Sequence, residues 1–388
     1  MGPESELELR KFVAPEFLFG VGALETVGRY VKNLGARKVL VVTDPGVIAA
    51  GWTGKVLASL DEKKIPYAVF SRITPNPRAE EVMEGADFYK QEACDIIVSV
   101  GGGSPTDCAK GIGIVSTNKK HILEFEGVDR ITVPMPPVIC IPTTGGTSAD
   151  VSQFAIISDR EKMSKIAIIS KAVVPDVSLI DPTTLTTMDP YLTACTGIDA
   201  LVHAIEAFVS TGSSPLTDVH ALEAVRLISG NLLESIDQPA DLELRSRLMR
   251  GSLEAGLAFS NASLGAVHAM AHSLGGLLDL PHGECNAVLL DHVMAFNLRA
   301  TPERYRRVAT EMGLDLRGMT TRSAGKAVLE EIRRLKREAG IYRALDKLGV
   351  SPPDIPDLAS NAMMDACMVT NPIRPNQRDV EVIYEEAL

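Results

Sequence analysis

Between residues 17 and 181, short apolar runs alternate with amphipathic stretches, which is the pattern of parallel strands joined by crossover helices. The runs at residues 38–43 (KVLVVT), 95–100 (DIIVSV) and 138–141 (VICI) are rich in β-branched residues and end at turn formers, as strands buried on both faces do. Residues 154–158, 165–169 and 177–180 read as further short strands. After Pro190 the texture changes. Residues 192–209, 214–231, 242–257 and 324–339 carry helical spacing, and no convincing strand follows. The expected fold class is an α/β N-terminal domain with a parallel sheet, residues 1–189, followed by an all-α C-terminal domain, residues 190–388.

Composition narrows the partners. A chain of 388 residues exceeds the usual size of one hydrophobic core, in keeping with two domains. The formal charge of −11 opposes non-specific attraction to nucleic acid or to an anionic membrane, so small-molecule partners are expected. Residues 1–11 are charged and lack the apolar core of a signal peptide, and no uninterrupted apolar stretch of about 18 residues appears, so a cytoplasmic location is expected. Six cysteines, at 94, 108, 140, 195, 285 and 367, show no C-x-x-C spacing and read as buried small hydrophobes.

Three loops invite a nucleotide. Gly101, Gly102 and Gly103 follow a strand and open a helix, with Ser104 suited to cap it, Pro105 to its first position and Asp107 to the capping-box position. Exposed amides and the positive end of that helix make an anion site that suits a pyrophosphate. The first strand ends in Thr43-Asp44-Pro45-Gly46 and carries no G-x-G-x-x-G. Asp44 can accept from ribose hydroxyls and repel a 2′-phosphate, favouring NAD over NADP, or can simply form an Asp-Pro-Gly turn. The third loop, Pro142-Thr143-Thr144-Gly145-Gly146-Thr147-Ser148, again follows a strand, so all three fall at one edge of the sheet.

Asp199 and His203 are four apart in an apolar helical segment, and His268 and His272 repeat that spacing. His282 follows ten residues on, after Pro281. Three of these histidines with the carboxylate form an N/O site for iron, zinc or another first-row metal. His121, His220 and His292 lack such an arrangement.

The segments GGGSPTDCAK (residues 101–110), IPTTGGT (141–147), GIDALVHAIE (197–206) and VHAMAHSLGGLLDLPHGECN (267–286) resemble the iron-containing, or group III, alcohol dehydrogenases over nearly the whole chain. The resemblance implies a dinucleotide-binding α/β domain and a helical metal-binding domain. It maps four metal ligands onto Asp199, His203, His268 and His282. It maps cofactor contacts onto Asp44, Asn76, Gly102, Gly103, Ser104, Asp107, Thr143, Thr144, Thr147, Ser152 and Lys165. His272 matches a non-ligand histidine of the catalytic site, and Phe259 and Cys367 match pocket-wall positions, to which Phe154 and Leu264 are added as apolar walls. One departure stands out: the family continues the third loop with Gly-Ser-Glu or a close variant, where this chain has Ser148-Ala149-Asp150.

The implied reaction is hydride transfer between NAD(H) and a short to medium primary alcohol or aldehyde. A divalent metal, Fe2+ before Zn2+, acts as Lewis acid in a homo-oligomer, expected to be a dimer. Two other readings share this architecture. One is a regulatory or sensory protein that kept the sites; the other is a dehydroquinate-synthase-like lyase, which needs a basic cluster near the metal that the sequence does not offer.

Overall fold

The computed structural model describes residues 9–388; most of the charged N-terminal stretch, residues 1–8, lies outside them. Nine strands are present among the described residues: β1 (Glu16–Phe19), β2 (Val39–Val42), β3 (Tyr67–Phe70), β4 (Ile96–Gly101), β5 (Gly127–Val128), β6 (Val138–Pro142), β7 (Phe154–Asp159), β8 (Ser164–Ile169) and β9 (Val177–Ile180). Six of them form a parallel sheet in the order β1-β9-β6-β4-β2-β3. Crossovers include α1 (Val27–Asn33), α2 (Pro45–Ala49), α3 (Trp52–Glu62), α4 (Ala79–Gln91) and α5 (Gly103–Asn118).

The apolar runs explain the sheet. Strands β2, β4, β6 and β9 are buried at every position, and alternate residues feed two separate cores. Leu40, Val42, Ile97, Val138 and Cys140 pack into one. Val39, Val41, Ile96, Val98, Ile139 and Ile141 pack into the other, as the two-residue period of a strand requires.

The expectation of parallel strands throughout needs one correction. β7 and β8 leave the main sheet and pair antiparallel in a three-stranded sheet of order β5-β8-β7. Only residues 160–163 join them, and a parallel pair needs a crossover of a dozen residues or more.

Helices follow from Pro190 onward: α6 (Pro190–Val209), α7 (Pro215–Asp237), α8 (Leu242–Ala262), α9 (Ala266–Leu278), α10 (His282–Asn297), α11 (Pro302–Glu311), α12 (Thr321–Glu338), α13 (Ile355–Met364) and α14 (Gln377–Ala387). No strand lies beyond β9 among the described residues. By length and composition α6 passes for a membrane span, but 89% of its apolar window is buried inside the protein, so its apolarity serves the core.

The chain divides into two compact units. The α/β unit comprises Ala14–Met188 and Pro239–Met249, and the helical unit comprises Asp189–Gln238, Arg250–Leu388 and residues 9–13. The inserted Pro239–Met249 segment is anchored by Arg245, a fully buried side chain. Its Nε donates to the carbonyl of Pro239 (2.9 Å) and its Nη2 to that of Met188 (3.4 Å).

Candidate active site

In the α/β unit, strand order changes direction at β2 and β4, and the loops after those strands carry Asp44 and the three glycines. Such a switch point at the carboxyl edge is where open α/β sheets bind ligands. β4 runs through Gly101, whose φ of +154° turns the chain directly into α5. The expected cap is therefore corrected: Gly102, not Ser104, is the N-cap, with no side-chain bond to the first turn. The first amides of α5 are thereby left for a ligand. A Cβ on Gly102 would lie 3.0 Å from Thr144 Cγ2, and one on Gly103 would lie 3.0 Å from Thr147 Cγ2, so these glycines let the first and third loops close together.

Ser104 instead accepts from the Asn76 amide (3.3 Å), while Asn76 Oδ1 accepts from Lys165 Nζ (2.7 Å). Asn76 itself sits in the left-handed region, φ +58°. Thus three dispersed residues from the cofactor set meet at the first turn of α5. Asp44 caps α2, its Oδ1 accepting from the Val47 amide at 2.9 Å; the turn-forming role is real and engages one oxygen.

Other members of the set lie deeper. Ser152 is buried, its hydroxyl accepting from the Phe154 amide (3.4 Å). Asp107 and Thr143 are also buried. Lys110, which sequence reasoning passed over, is fully buried and donates to the carbonyls of Ser152 (3.0 Å) and Phe154 (2.6 Å). Burial lowers its pKa, against the pull of Asp107, Cys140 and Asp150. The departing Asp150 points inward and accepts from Ser178 Oγ on β9 (2.6 Å); burial raises its carboxyl.

In the helical unit, α6 presents Asp199, His203 and Glu206 at intervals of four and three, hence along one face. α9 presents His268 and His272, and α10 begins at His282. One ligand atom each from Asp199, His268 and His282 lies within 4.8 Å of the others, and both histidine Nε2 atoms are 3.9 Å from Asp199 Oδ1. An ion at about 2.1 Å from each donor can bridge at most about 4.2 Å, so those 3.9 Å separations fit a first-row metal. Asn286, fully buried, donates to Asp199 Oδ1 (2.6 Å) and lies 3.2 Å from both Nε2 atoms.

His203 stands outside that group of three. Its ring is stacked on Phe259 (centroids 4.3 Å) and on His268 (4.5 Å). Burial, with His272 beside it, holds the His268 imidazole well below its usual pKa, leaving the neutral form a ligand needs. His272 is stacked on His282 (5.2 Å), and its Nδ1 is 2.8 Å from Asp365 Oδ2. Burial opposes ionisation of Asp365, but His272 and the Cys367 amide outweigh it and lower the carboxyl.

Of the expected walls, Phe259, Leu264 and Cys367 are buried in the helical unit, and Phe154 is buried in the α/β unit. Burial raises the Cys367 thiol far above its usual value, so it acts as an apolar surface. All six cysteines are buried and unpaired by disulfides. Glu206, Asn286 and Asp365 were missed in the sequence.

A family model described as "Iron-containing alcohol dehydrogenase" matches residues 14–182, and one described as "Fe-containing alcohol dehydrogenase family, C-terminal" matches residues 193–388. The chain is 41% identical over 371 residues to a 1,3-propanediol dehydrogenase of Klebsiella pneumoniae, covering 95% of this chain and 96% of that protein. It is 37% identical over 377 residues to an NAD-dependent methanol dehydrogenase of Bacillus methanolicus, with 97% and 99% covered. The solved structure of an alcohol dehydrogenase from Oenococcus oeni superposes with a TM-score of 0.95 at 36% identity, covering 98% of this chain and all of that one. Through both halves of its length, this chain belongs to the iron-containing alcohol dehydrogenase family.

Proposed function

We propose that this oxidoreductase couples NAD(H) to short and medium primary alcohols and their aldehydes, with Fe2+ as the working metal. The observation that carries the reading is the convergence of donors from Asp199, His268 and His282 in a chain matched along both halves by the iron-containing family. His203 completes the proposed ligand set. When bound, the ion supplies Lewis acidity toward the substrate oxygen.

The chain's own residues do the rest. Hydride leaves the carbinol carbon for the nicotinamide with both electrons of the C–H bond, and the hydroxyl proton passes through His272 to solvent, so the alcohol loses two electrons and two protons in all. Asp365 engages His272 Nδ1, which leaves Nε2 for that proton. The first turn of α5, with Gly102, Gly103 and Ser104, takes the pyrophosphate. Thr143, Thr144 and Thr147 flank it, Asn76 and Lys165 fix its edge, and Asp107 and Ser152 support these loops from below. The second oxygen of Asp44 takes the adenosine ribose.

Phe259, Leu264 and Cys367 supply proposed apolar walls in the helical unit and Phe154 one in the α/β unit, and their apolarity favours an unbranched carbon chain. The relatives named for 1,3-propanediol and methanol support the short end of that range. We assign residues 1–189 to cofactor binding and residues 190–388 to metal and substrate. The acidic charge supports small-molecule partners rather than nucleic acid or membrane, and a cytoplasmic homodimer is the assembly that the family resemblance implies.

One preparation tests the proposal: metal analysis, then NADH formation across a panel of primary alcohols after loading with Fe2+ or Zn2+. Turnover that needs metal and prefers NAD is expected. Equal activity in the metal-stripped protein would refute it.

A further inference from the structure

The side chain of Glu206 is 3% exposed in the middle of an otherwise apolar stretch of α6, and three donors converge on it. Oε1 accepts from the Val267 amide at 2.7 Å; Oε2 accepts from the His268 amide at 3.4 Å and lies 2.6 Å from His268 Nδ1. The N-cap of α9 is Gly265, which offers no side chain, so a carboxylate 59 to 62 positions earlier in the sequence does the capping. A Cβ on Gly265 would stand 2.9 Å from Glu206 Oε1, which leaves that position open only to glycine while the carboxylate is seated there.

From this geometry we infer that Glu206 is a positioning residue: one carboxylate both starts α9 and orients His268, so that Nε2 is the atom offered to the metal. The inference rests on the ligand set proposed above. Burial raises the Glu206 carboxyl to about 7, against the backbone N–H groups that lower it; once ionised it only accepts hydrogen bonds, so Nδ1 then carries the proton and Nε2 keeps its lone pair. Groups that hold the far nitrogen of a metal-binding histidine commonly set metal affinity over a 10- to 100-fold range.

The amide of glutamine cannot reproduce this. With its NH2 on the Oε1 side it meets the Val267 N–H donor to donor. With its NH2 on the Oε2 side it meets the His268 amide and donates to Nδ1, forcing the proton onto Nε2. The first arrangement unseats the start of α9 that carries His268, and the second takes the lone pair from Nε2.

The test compares wild type, Glu206→Gln, Glu206→Asp and His268→Ala by competition with a graded chelator, using Fe2+ or Zn2+ alone as probe. Nitrogen-15 NMR of the metal-free proteins reads the His268 tautomer. Expected are an Nδ1-protonated ring in wild type, an Nε2-protonated or mixed ring in Glu206→Gln, and metal held about 10- to 100-fold more weakly by that variant. Melting of the metal-free protein identifies a variant that fails to fold. In that case Glu206→Asp, which keeps the charge but draws it back by one methylene, must show the weakened affinity. Wild-type metal affinity in a folded Glu206→Gln or Glu206→Asp, or an Nε2-protonated His268 ring in wild type, overturns the inference. Full metal retention in His268→Ala would instead overturn the ligand set beneath it.

Discussion

Gly283 follows His282 in the first turn of α10, and a Cβ built there would lie 2.3 Å from the carbonyl oxygen of Cys195 on α6 and 2.8 Å from its carbonyl carbon. The opposing atoms are backbone, so nothing flexible can yield. Relaxing that contact to an ordinary 3.4 Å requires the start of α10 to retreat from α6 by about 1.1 Å. His282 rides on the same turn, and its Nε2, now 3.9 Å from Asp199 Oδ1, would move to about 5 Å. That exceeds the roughly 4.2 Å that one ion can bridge with ligand distances of about 2.1 Å, against a tolerance of about 0.2 Å per bond. Gly283→Ala should therefore lose His282 as a donor and weaken metal binding by more than about 100-fold, with an overpacking cost of about 1–3 kcal/mol in the metal-free protein. Chelator competition reads the first effect and denaturant melting the second. Gly230 in α7 is the control, because a Cβ there meets nothing within 4 Å; Gly230→Ala should leave metal binding alone and raise stability by about 0.5–1 kcal/mol. Unchanged metal affinity in Gly283→Ala would refute the claim that backbone contact between α6 and α10 sets the donor spacing.

Asp44→Gly should shift the specificity-constant ratio toward NADP by about 1–3 kcal/mol, the worth of a charged hydrogen bond. The lost cap on α2 costs only a few tenths of a kcal/mol with glycine in its place, so an unchanged ratio in a folded variant would leave Asp44 a capping residue alone. His272→Ala should retain metal yet slow alcohol oxidation about 10²- to 10⁴-fold, with partial recovery on adding imidazole; lost metal would make it a ligand. Away from the site, the Asp291 carboxylate holds Lys336 Nζ at 2.5 Å and Arg333 Nε at 2.8 Å. Burial opposes its ionisation but those cations lower its pKa. Its stability contribution is therefore full above the unfolded value of about 3.9 and is lost as pH falls through the lower folded value. Asp291→Asn should cost about 3–5 kcal/mol at neutral pH by stranding Lys336. The deficit should shrink below about pH 4, where wild type loses the same charge; a melting difference constant with pH would contradict this.

Strands β2, β4 and β6 were legible because burial on both faces writes an unbroken apolar run. β1 and β3 were not: they are edge strands with partly exposed positions and mixed residues. The cap of α5 was misplaced because the preference for serine is local, whereas the start of that helix is set by Gly101 pairing with Pro142 in the sheet. Asp199 with His203, and His268 with His272, were readable from helical spacing in apolar segments, whereas His282 was placed only by its position after Pro281 and in fact opens α10. Asp365 had no such signal, since its partner His272 stands 93 residues away; Asn286 lies one turn after His282, but its bond to Asp199 spans 87 residues. Glu206 did leave a trace: it and Asp199 are the only charged residues of α6, and a carboxylate does not stay in an apolar helix without a partner.

Arg245 has a consequence for how the protein can be cut, grafted or synthesised. The α/β unit is still missing a piece when its last strand leaves the ribosome, because the segment carrying Arg245 and the buried Leu248 emerges only after Asp189–Gln238. A gene fragment ending at Met188 would encode every strand but leave the carbonyl of Met188 without its guanidinium and the surroundings of Gly145 without Leu248. Chimeras that exchange halves between relatives must therefore move Pro239–Met249 together with the sheet, against its place in the reading frame.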